Sequence, residues 1–440
     1  MPESETMNLY PIFLEHSIIC TDSRDCPAGS LFFALKGENF NANAYALSAL
    51  EKGCAFAVVD EAEYVIDERF ILVSDVLESL QQLAAYHRKQ LGTKIIGITG
   101  TNGKTTTKEL IAAVLKEKYN ILFTKGNLNN HIGVPLTLLQ LKPEHEIAVI
   151  EMGANHPGEI KQLCEIACPD YGIITNVGKA HLEGFGSLEG VMKTKAELYE
   201  SISAFGQLIF INSGNSLLVK MSESSGLVQA NKKIRYSLEA GDTEADYHAS
   251  IISCSPFLHI KWNKKGHSNT EVKTRLIGSY NAENVLAAVS IGDYFGVTAE
   301  QIKTGLENYF PQNNRSQLTE TEHNKLVVDT YNANPTSMRA AILNFAQMDV
   351  EHKTLILGDM FELGDQSTEE HQSIVDLLQQ NNFKNVLLIG KDFKKTRNSY
   401  PGFEDVSELI HYLNEFPLTN NYILIKGSRG MKLEKALASL

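Results

Sequence analysis

The sequence predicts an α/β protein of three domains: a small N-terminal α/β domain, a central parallel sheet of the phosphate-loop ATPase type with an antiparallel extension, and a C-terminal Rossmann-like, doubly wound sheet. Its 440 residues suffice for two to four domains with separate cores. Short apolar runs alternate with segments of helical spacing along most of the chain, which is typical of parallel sheets covered by helices. We place the domains at residues 1–92, 93–310 and 311–440.

In the N-terminal domain, polar loops flank the predicted strands. Strands are expected at 31–35, 55–59 and 71–73, and helices at 42–50 and 76–91. Ser23 and Arg24 lie in a turn-rich segment, and Lys36 and Asn41 lie in the stretch that follows the first of these strands. Since loops at strand ends often bind ligands, these four residues are candidate substrate contacts. Solvated turns would explain them about equally well.

A glycine-rich turn between a strand at 95–99 and a helix at 104–118 is the strongest motif of the chain. Its residues are Gly100, Thr101, Asn102, Gly103, Lys104, Thr105 and Thr106. Such a turn directs backbone N–H groups at an anion, so Lys104 would reach the distal phosphates and Thr105 would hold Mg²⁺. The common phosphate-loop pattern requires glycine where Ile98 stands, and an ordinary strand–turn–helix connection is the alternative. The Lys-Thr-Thr at the helix start favours a nucleotide phosphate site.

Two further residues of the central domain are candidates for holding a metal, and two lysines follow them in the sequence. Glu151 ends a buried strand, where nucleotide enzymes often place a metal-binding acid, although an exposed strand-end acid is the alternative. A lone histidine usually makes structural hydrogen bonds, but beside an acid and a phosphate loop His181 becomes a candidate ligand. Lys193 and Lys195 lie two apart on a predicted helix, so one can point inward while the other is solvated.

Two features mark the end of the central domain: a segment in which apolar and polar residues alternate, and a helix preceded by two asparagines. Residues 247–276 alternate apolar and polar side chains, which predicts an antiparallel extension of the sheet. Asn281 and Asn284 open the apolar helix at 285–294, and their spacing puts both amides on one face. N-capping alone would also explain Asn281.

Four short apolar runs, each ending in or followed by Asp or Gly, define the C-terminal domain. They lie at 327–329, 354–359, 385–390 and 422–427, and helical patterns separate them. Ligands of doubly wound sheets bind at the carboxyl ends of the strands. This places five polar residues along one edge of the sheet: Asp329, Asn332, Asn334, Asp359 and Lys426.

Composition argues against several classes of protein. The net charge is −13, from 40 basic and 53 acidic side chains, which argues against binding to nucleic acid. No apolar run reaches transmembrane length and no signal peptide is recognisable, so we expect a cytoplasmic protein without membrane insertion. The six cysteines have no disulfide framework. Cys164 and Cys168 lie one helical turn apart, but no second pair completes a metal site nearby, and free thiols are expected.

Six motifs spread over the last two domains carry a resemblance to a known family. They are Gly-Thr-Asn-Gly-Lys-Thr-Thr at 100–106, Gly-Asn-Leu-Asn-Asn-His-Ile-Gly-Val-Pro at 126–135, Glu-Met-Gly-Ala-Asn at 151–155, Asn-Val-Gly-Lys-Ala-His-Leu-Glu at 176–183, Asp-Thr-Tyr-Asn-Ala-Asn-Pro at 329–335 and Gly-Asp-Met-Phe-Glu-Leu-Gly at 358–364. With them, the chain resembles the Mur ligases of peptidoglycan synthesis over almost its whole length. The last two motifs resemble those of the members that add D-alanyl-D-alanine.

The resemblance implies ATP-dependent amide formation. A carboxylate of UDP-N-acetylmuramoyl-tripeptide would take the γ-phosphate of ATP, and the amine of D-alanyl-D-alanine would attack the acyl phosphate. The products would be UDP-MurNAc-pentapeptide, ADP and phosphate. Residues 1–92 would bind the UDP substrate, 93–310 would bind ATP, and 311–440 would close on ATP and bind the dipeptide. We expect a monomer with these small-molecule partners.

By motif position, the resemblance assigns Lys104, His181 and Lys195 to catalysis. It implies two Mg²⁺ ions, one held by Thr105, with Glu151 on one or both and His181 on the second. Lys195 matches the family lysine that becomes carbamylated, since a carbamate is an anionic oxygen ligand whereas an ammonium is not.

The resemblance also assigns residues that contact ATP and substrates. Asn281 and Asn284 would contact adenine, and Arg315 and Asp329 would contact phosphate and ribose. The substrate residues would be Ser23, Arg24, Lys36, Asn41 and Asn130, with Asn332, Asn334 and Asp359 near the dipeptide.

Two departures from the family pattern concern substrate contacts and a domain joint. Phe-Asn-Ala-Asn-Ala-Tyr at 40–45 stands where an Asp-Gly-His-like stretch is common, and Asn314 precedes Arg315 where glycine is usual. Within the superfamily, a ligase that adds a single amino acid, such as MurE or folylpolyglutamate synthase, is the alternative. From another class, a nucleotide-gated binding protein without ligation would need the phosphate loop but neither His181 nor a buried Lys195.

Overall fold

The computed structural model describes residues 2–227, 232–311 and 315–440. In the N-terminal part, β1, β2, β5 and β6 form a parallel sheet in that order, while β3 and β4 pair as a hairpin. The elements are α1 (Pro2–Glu15), β1 (Ile19–Cys20), β2 (Leu31–Phe33), β3 (Lys36–Gly37), β4 (Phe40–Asn41), α2 (Ala46–Glu51), β5 (Phe56–Val59), β6 (Phe70–Leu72) and α3 (Val76–Leu91). Helix α1 was not predicted; it packs Leu9 and Phe13 into the core.

The central sheet joins a parallel part to an antiparallel extension. Its strand order is β15-β14-β13-β12-β11-β10-β7-β9-β8, parallel from β8 to β13 and antiparallel at β14 and β15. The elements are β7 (Lys94–Thr99), α4 (Lys104–Leu115), β8 (Ile121–Phe123), α5 (Gly133–Leu138), β9 (Ile147–Glu151), α6 (Glu159–Ala167), β10 (Tyr171–Ile174), α7 (Leu182–Phe185), α8 (Leu188–Phe205), β11 (Leu208–Asn212), α9 (Ser216–Ser224), β12 (Lys233–Ser237), β13 (Tyr247–Cys254), β14 (Leu258–Lys264), β15 (Thr270–Lys273), α10 (Asn281–Tyr294) and α11 (Ala299–Glu307).

The apolar runs that predicted central strands are buried on both faces. Ile96 and Ile98 pack against α4 and α10, whereas Ile95 belongs to the core on the opposite side of the sheet. Helices therefore cover both faces of β7, which explains why its sequence is continuously apolar rather than alternating. This packing fixes the carboxyl end of β7, from which the glycine-rich turn emerges.

The C-terminal sheet has the order β16-β17-β21-β18-β19-β20, with β16 antiparallel and the other pairs parallel. The elements are β16 (Gln317–Glu320), β17 (Lys325–Asp329), α12 (Pro335–Gln347), β18 (Lys353–Gly358), α13 (Ser367–Gln380), β19 (Val386–Ile389), α14 (Lys391–Lys394), β20 (Gly402–Phe403), α15 (Val406–Glu415) and β21 (Tyr422–Lys426). The four predicted runs are the parallel strands β17, β18, β19 and β21. Asp329 and Lys426 end neighbouring strands.

The domain boundaries at residues 92 and 310 stay predictions. Strand β7 begins at Lys94 and β16 begins at Gln317, while Asn314, at the predicted joint, lies outside the described residues. None of the helices that the structure describes combines the length and apolar character needed to cross a membrane. The cysteines are free, as predicted; Cys164 is buried and Cys168 is exposed.

Candidate active site

The turn after β7 lies between the ends of two neighbouring strands. Strand β7 pairs with β9 on one side and β10 on the other. Gly100 has φ of +143°, and a Cβ there would lie 2.1 Å from Thr175 Oγ1, just beyond β10. Gly103 has φ of +76°, and a Cβ there would lie 2.8 Å from Asn284 Oδ1. Both positions therefore require glycine, and the turn is held closely against its surroundings.

The side chain of Lys104 folds back over this turn. Its Nζ donates to the carbonyl oxygens of Gly100 at 2.8 Å and Thr101 at 3.1 Å. Burial lowers the pKa of Lys104 below its usual value. Asn176, after β10, accepts a hydrogen bond from the Asn102 backbone N–H at 2.9 Å through its Oδ1. The turn and its lysine are thus preorganised to meet an anion at the start of α4.

Glu151 presents one satisfied and one unsatisfied carboxylate oxygen. Its Oε1 accepts hydrogen bonds from Thr105 Oγ1 at 3.1 Å and Asn129 Nδ2 at 2.9 Å. Its Oε2 is buried and meets no hydrogen-bond donor among the described residues; Lys108 Nζ lies 3.8 Å away. The Lys108 ammonium forms an ion pair with this oxygen without donating a hydrogen bond to it, so Glu151 and Thr105 still offer oxygen ligands that fit a hard divalent cation.

His181 directly precedes α7, and Lys195 lies on the following helix, α8. His181 precedes the helix with φ of +50°, and its Nδ1 contacts Glu362 Oε2 of the C-terminal part. Lys195, on α8, is buried with its Nζ 5.5 Å from the centroid of the Phe185 ring. Burial first, and the charge of Lys104 second, lower the pKa of Lys195 to about 7. Lys193 is exposed, so Lys195 is the inward-pointing lysine.

The two asparagines at the start of α10 are joined to each other and to α4. Asn284 Nδ2 donates to Asn281 Oδ1 at 2.9 Å, and Thr107 Oγ1 donates to Asn284 Oδ1 at 3.0 Å. Asn281 Nδ2 donates to the Ile277 carbonyl at 2.8 Å, and the N-cap position belongs to Tyr280. N-capping therefore does not explain Asn281.

Residues of the C-terminal sheet edge face the phosphate-loop turn. Lys426 Nζ donates to Asp329 Oδ2 at 2.7 Å and to the Asn332 carbonyl at 3.2 Å. Asn334 caps α12 and donates from Nδ2 to Asn102 Oδ1 at 2.8 Å, while Asn102 Nδ2 donates back at 3.3 Å. These amides join the two parts of the chain directly across the site.

Arg315 follows the predicted joint and belongs to the same edge. Its Cζ lies 3.6 Å from the centroid of the Tyr331 ring, and its buried Nε meets no acceptor among the described residues. Stacking holds the guanidinium plane while leaving a donor free, an arrangement that suits contact with an anionic oxygen.

These groups surround one cavity of about 520 Å³. It is lined by residues of both the central and the C-terminal parts, so neither part forms it alone. The predicted site residues that line it are Thr101, Asn102, Gly103, Lys104, Thr105, Thr106, Asn130, Glu151, His181, Asn281, Asn284, Arg315, Asp329, Asn332, Asn334 and Lys426. Gly100 and Lys195 are buried and do not line the cavity.

The four predicted substrate residues of the N-terminal domain lie apart from this cavity and have local partners. Arg24 pairs with Asp22 at 2.7 Å, and Lys36 pairs with Asp60 at 2.9 Å. Asn41 donates to Glu61 at 3.0 Å, and the Ser23 carbonyl accepts from Lys52 Nζ at 2.6 Å. These contacts are compatible with solvated turns, and the substrate role of the four residues stays a prediction.

Asp359 also lies away from the cavity, although the sequence pattern put it along the same edge. Its carboxylate accepts hydrogen bonds from the backbone N–H groups of Asp392 at 3.0 Å and Phe393 at 2.9 Å, at the start of α14. The side chain is buried, which raises its pKa. A residue satisfied in this way supports the fold of the C-terminal sheet.

Several cavity residues were missed by sequence reasoning. Asn129 holds Glu151, Asn176 holds the turn, and Tyr331 carries the Arg315 guanidinium. Asn129 and Tyr331 lie in motifs next to residues that were chosen, but only the fold shows which of two adjacent side chains faces the site. Asn130, which was chosen, accepts from the Gly133 backbone N–H at 2.9 Å and lines the cavity.

Comparison with known proteins defines the class. Residues 98–292 match the model of the Mur ligase middle domain, and residues 314–429 match that of the Mur ligase, glutamate ligase domain. The chain belongs to the Mur ligase family and is an ATP-dependent ligase. It is 36% identical over 437 residues to the UDP-N-acetylmuramoyl-tripeptide–D-alanyl-D-alanine ligase of Bacillus subtilis (strain 168), covering 96% of this chain and 92% of that relative.

Solved structures of MurF proteins share the fold. A crystal structure of MurF from Acinetobacter baumannii is 31% identical with a TM-score of 0.85, covering 99% of this chain and 98% of that one. MurF from Thermotoga maritima in complex with ADP is 26% identical with a TM-score of 0.84, covering 97% of each chain. The predicted fold class and family are thereby confirmed.

Proposed function

We propose that this protein joins D-alanyl-D-alanine to UDP-N-acetylmuramoyl-tripeptide at the expense of ATP. The observation that carries the proposal is the unsatisfied, buried Oε2 of Glu151 beside Thr105 at a phosphate-loop turn. The similarity to MurF relatives supplies the identity of the two substrates. A carboxylate oxygen of the tripeptide attacks the γ-phosphorus and ADP leaves. The neutral amine of the dipeptide then attacks the acyl carbon, phosphate leaves, and the nitrogen releases a proton to solvent.

ATP is proposed to bind along the line from α10 to α4. The phosphates are held by the backbone N–H groups of the turn at 100–106 and by the Lys104 ammonium. The partial positive charge at the start of α4 also favours their negative charge. Asn281 and Asn284 lie at the adenine end. Arg315 and Asp329 complete the contacts from the C-terminal part, the first to phosphate and the second to ribose.

Two Mg²⁺ ions are proposed, as in the family that the chain belongs to; Thr105 and Glu151 offer hard oxygen ligands, and His181 offers a ring nitrogen. Thr105 and Glu151 would hold one ion, and Glu151 and His181 would hold the second, once His181 is released from Glu362. Bound Mg²⁺ screens the repulsion between the triphosphate and the attacking carboxylate. Lys104 adds positive charge at the transferring phosphoryl group, where charge develops.

Lys195 is proposed to carry a carbamate. Its burial and its neighbour Lys104 lower its pKa to about 7, so much of the amine is unprotonated near neutral pH. The neutral nitrogen attacks the carbon of CO₂ and releases its proton, giving an anionic carbamate. Any protonated fraction of Lys195 is repelled by Lys104, whereas a carbamate would be attracted to it and would offer an oxygen ligand for a cation.

The remaining assignments concern the two substrates. We propose that residues 1–92 bind the UDP part of the tripeptide substrate, with Ser23, Arg24, Lys36 and Asn41 as contacts, while 93–310 bind ATP. Residues 311–440 would close over ATP and take the dipeptide, with Asn332 and Asn334 nearest to it and Asn130 opposite. A monomer acting in the cytoplasm would suffice for this reaction.

Phosphate release tests the assignment of substrates. The rate with ATP and Mg²⁺ is measured with UDP-MurNAc-tripeptide, with D-alanyl-D-alanine, with both, and with single amino acids in place of the dipeptide. We expect sustained turnover only with both substrates. Equal turnover with single amino acids would favour a ligase of the MurE or folylpolyglutamate synthase kind. Nucleotide binding without any turnover would favour a gated binding protein.

A further inference from the structure

Three cysteines from separate segments meet in the N-terminal domain. Cys20 ends β1, Cys26 lies in the loop before β2, and Cys54 lies just before β5. Their Sγ atoms all lie within 4.8 Å of one another, and those of Cys20 and Cys26 are 3.6 Å apart. Cys20 and Cys54 are buried and Cys26 is partly exposed. This cluster could not be predicted from the sequence, because 28 positions separate Cys26 from Cys54.

The spacing of the sulfurs suits a thiophilic cation. Zinc–thiolate bonds of about 2.3 Å at tetrahedral angles put neighbouring sulfurs roughly 3.8 Å apart. The observed limit of 4.8 Å is about 1 Å wider, which side-chain torsions can absorb. Since Cys26 is partly exposed, water can reach a fourth position beside the three thiolates.

The surroundings of the cluster are polar rather than purely apolar. Cys20 Sγ lies 3.2 Å from the Asp22 carbonyl and 3.3 Å from the Asp25 carbonyl, and Ser30 Oγ lies 3.2 Å from Cys54 Sγ. Burial raises the pKa of all three thiols, so they are protonated in the metal-free protein and would release protons to solvent as a cation binds.

A positive charge lies close enough to the cluster to act on Cys26. Lys52 Nζ donates to the Ser23 carbonyl at 2.6 Å, in the loop between Cys20 and Cys26. Its charge acts to lower the pKa of Cys26, although burial outweighs it. Three thiolates around a divalent cation carry one net negative charge, and the Lys52 ammonium stands where it would offset that charge.

We propose that Cys20, Cys26 and Cys54 form a three-thiolate site for a d¹⁰ cation of the zinc class. Binding there ties the loop at 21–27 to β1 and to the start of β5, because each segment contributes one ligand. None of the three cysteines lines the cavity at the phosphate-loop turn, and the proposal does not depend on the proposed ligase reaction. Its role is to stiffen the loop that presents Ser23 and Arg24.

The test uses the full-length protein, reduced and freed of metal, with Co²⁺ as a spectroscopic probe. Titration of the six thiols first establishes that no disulfide has formed. We expect a thiolate-to-cobalt charge-transfer band that saturates at one equivalent and is removed by Zn²⁺. Cys26→Ser and Cys54→Ser should each weaken Zn²⁺ binding by at least about 10-fold, as loss of one thiolate ligand implies. Cys254→Ser, outside the cluster, is the matched control and should leave it unchanged.

Two results would overturn the proposal. One is the absence of a thiolate-to-cobalt band in the fully reduced wild-type protein. The other is a band that persists unchanged in both Cys26→Ser and Cys54→Ser, which would place the thiolate ligands elsewhere. Cys26→Ser is the safer variant for folding because that side chain is partly exposed, and circular dichroism confirms that each variant is folded. Zn²⁺ should also slow proteolytic cleavage within the loop at 21–27 in wild type but not in Cys26→Ser.

Discussion

At the scale of the residue, the two oxygens of the Glu151 carboxylate have different surroundings. Oε1 is held by Thr105 and Asn129, whereas Oε2 is buried without a donor among the described residues. The held oxygen fixes the side chain, and the free oxygen is available to a cation. One oxygen of Glu151 therefore supports the fold, and the other is available for the proposed binding of a cation. A substitution that keeps the first oxygen can test cation binding without disturbing the fold.

Glu151→Gln keeps an oxygen that Thr105 and Asn129 can hold but removes the negative charge. We expect kcat/KM for ATP to fall by about 100-fold or more, as for loss of one group that stabilises developing charge. The thermal unfolding midpoint should change little. Glu165→Gln, at an exposed position of α6, is the matched control. Wild-type activity in Glu151→Gln would exclude a metal-binding role for this acid.

Lys195→Ala removes the proposed carbamate while Lys193→Ala alters an exposed lysine of the same helix. We expect Lys195→Ala to lose most phosphate release and to regain part of it when short carboxylic acids are added, because their carboxylate can occupy the space of the carbamate. Lys193→Ala should retain activity and show no response to the acids. Full activity of unrescued Lys195→Ala would eliminate the carbamate role.

At the scale of the element, the phosphate-loop turn depends on glycine at Gly100. The positive φ disfavours any L side chain, and a Cβ would collide with Thr175 Oγ1 at 2.1 Å. Asn176 and Thr175, which follow β10, also form hydrogen bonds with the turn. The shape of the turn therefore depends on the pairing of β7 with β10 as well as on its own sequence. A change at this glycine should therefore disturb stability and nucleotide binding together.

Gly100→Ala is expected to lower the free energy of unfolding by about 2 kcal/mol or more, through backbone strain and the clash with Thr175. ATP-dependent phosphate release should fall with it. Gly241→Ala is the control, since a Cβ there meets no atom within 4 Å. Thermal unfolding and phosphate release are measured on both. Equal unfolding midpoints for the two variants would show that the turn tolerates a side chain.

Elements were predicted well where periodicity carried the signal. Helix α3 spans Val76–Leu91 as predicted, and the alternation at 247–276 became the antiparallel strands β13 to β15. Helix α1 was missed because it contains Pro11, which argues against a helix interior. In the site, motif residues such as Glu151 were predicted, and the structure places them at the cavity. The contact of Asn129 with Glu151, the burial of Asp359 and the cluster of three cysteines each depend on segments far apart in the sequence. Local sequence patterns therefore cannot predict such contacts.

At the scale of the whole molecule, polar contacts connect the central and C-terminal parts around the cavity. Lys179 pairs with Glu370 at 2.7 Å, and His181 pairs with Glu362. The half-exposed Lys179 pair contributes little to stability, since solvent screens it. The His181 contact is different, because the same imidazole is a candidate metal ligand. Metal binding at His181 and this contact between the parts therefore compete.

Glu362→Gln removes the negative charge that contacts His181 from the C-terminal part. We expect the Mg²⁺ concentration for half-maximal phosphate release to decrease, because His181 no longer has to leave a charged partner before it binds a cation. Glu369→Gln, an exposed acid close in sequence, is the control. The measurement is a Mg²⁺ titration at saturating ATP. An unchanged Mg²⁺ requirement would mean that His181 does not exchange Glu362 for a cation.

We propose that the phosphate loop serves to activate a carboxylate of the substrate. The decisive measurement uses UDP-MurNAc-tripeptide with ¹⁸O at both oxygens of its terminal carboxylate, in the presence of ATP, Mg²⁺ and D-alanyl-D-alanine. If the carboxylate oxygen attacks the γ-phosphorus, mass spectrometry of the released phosphate will find one ¹⁸O atom in each molecule. Phosphate without the label, formed together with the pentapeptide, would contradict an acyl phosphate and with it this account of the site.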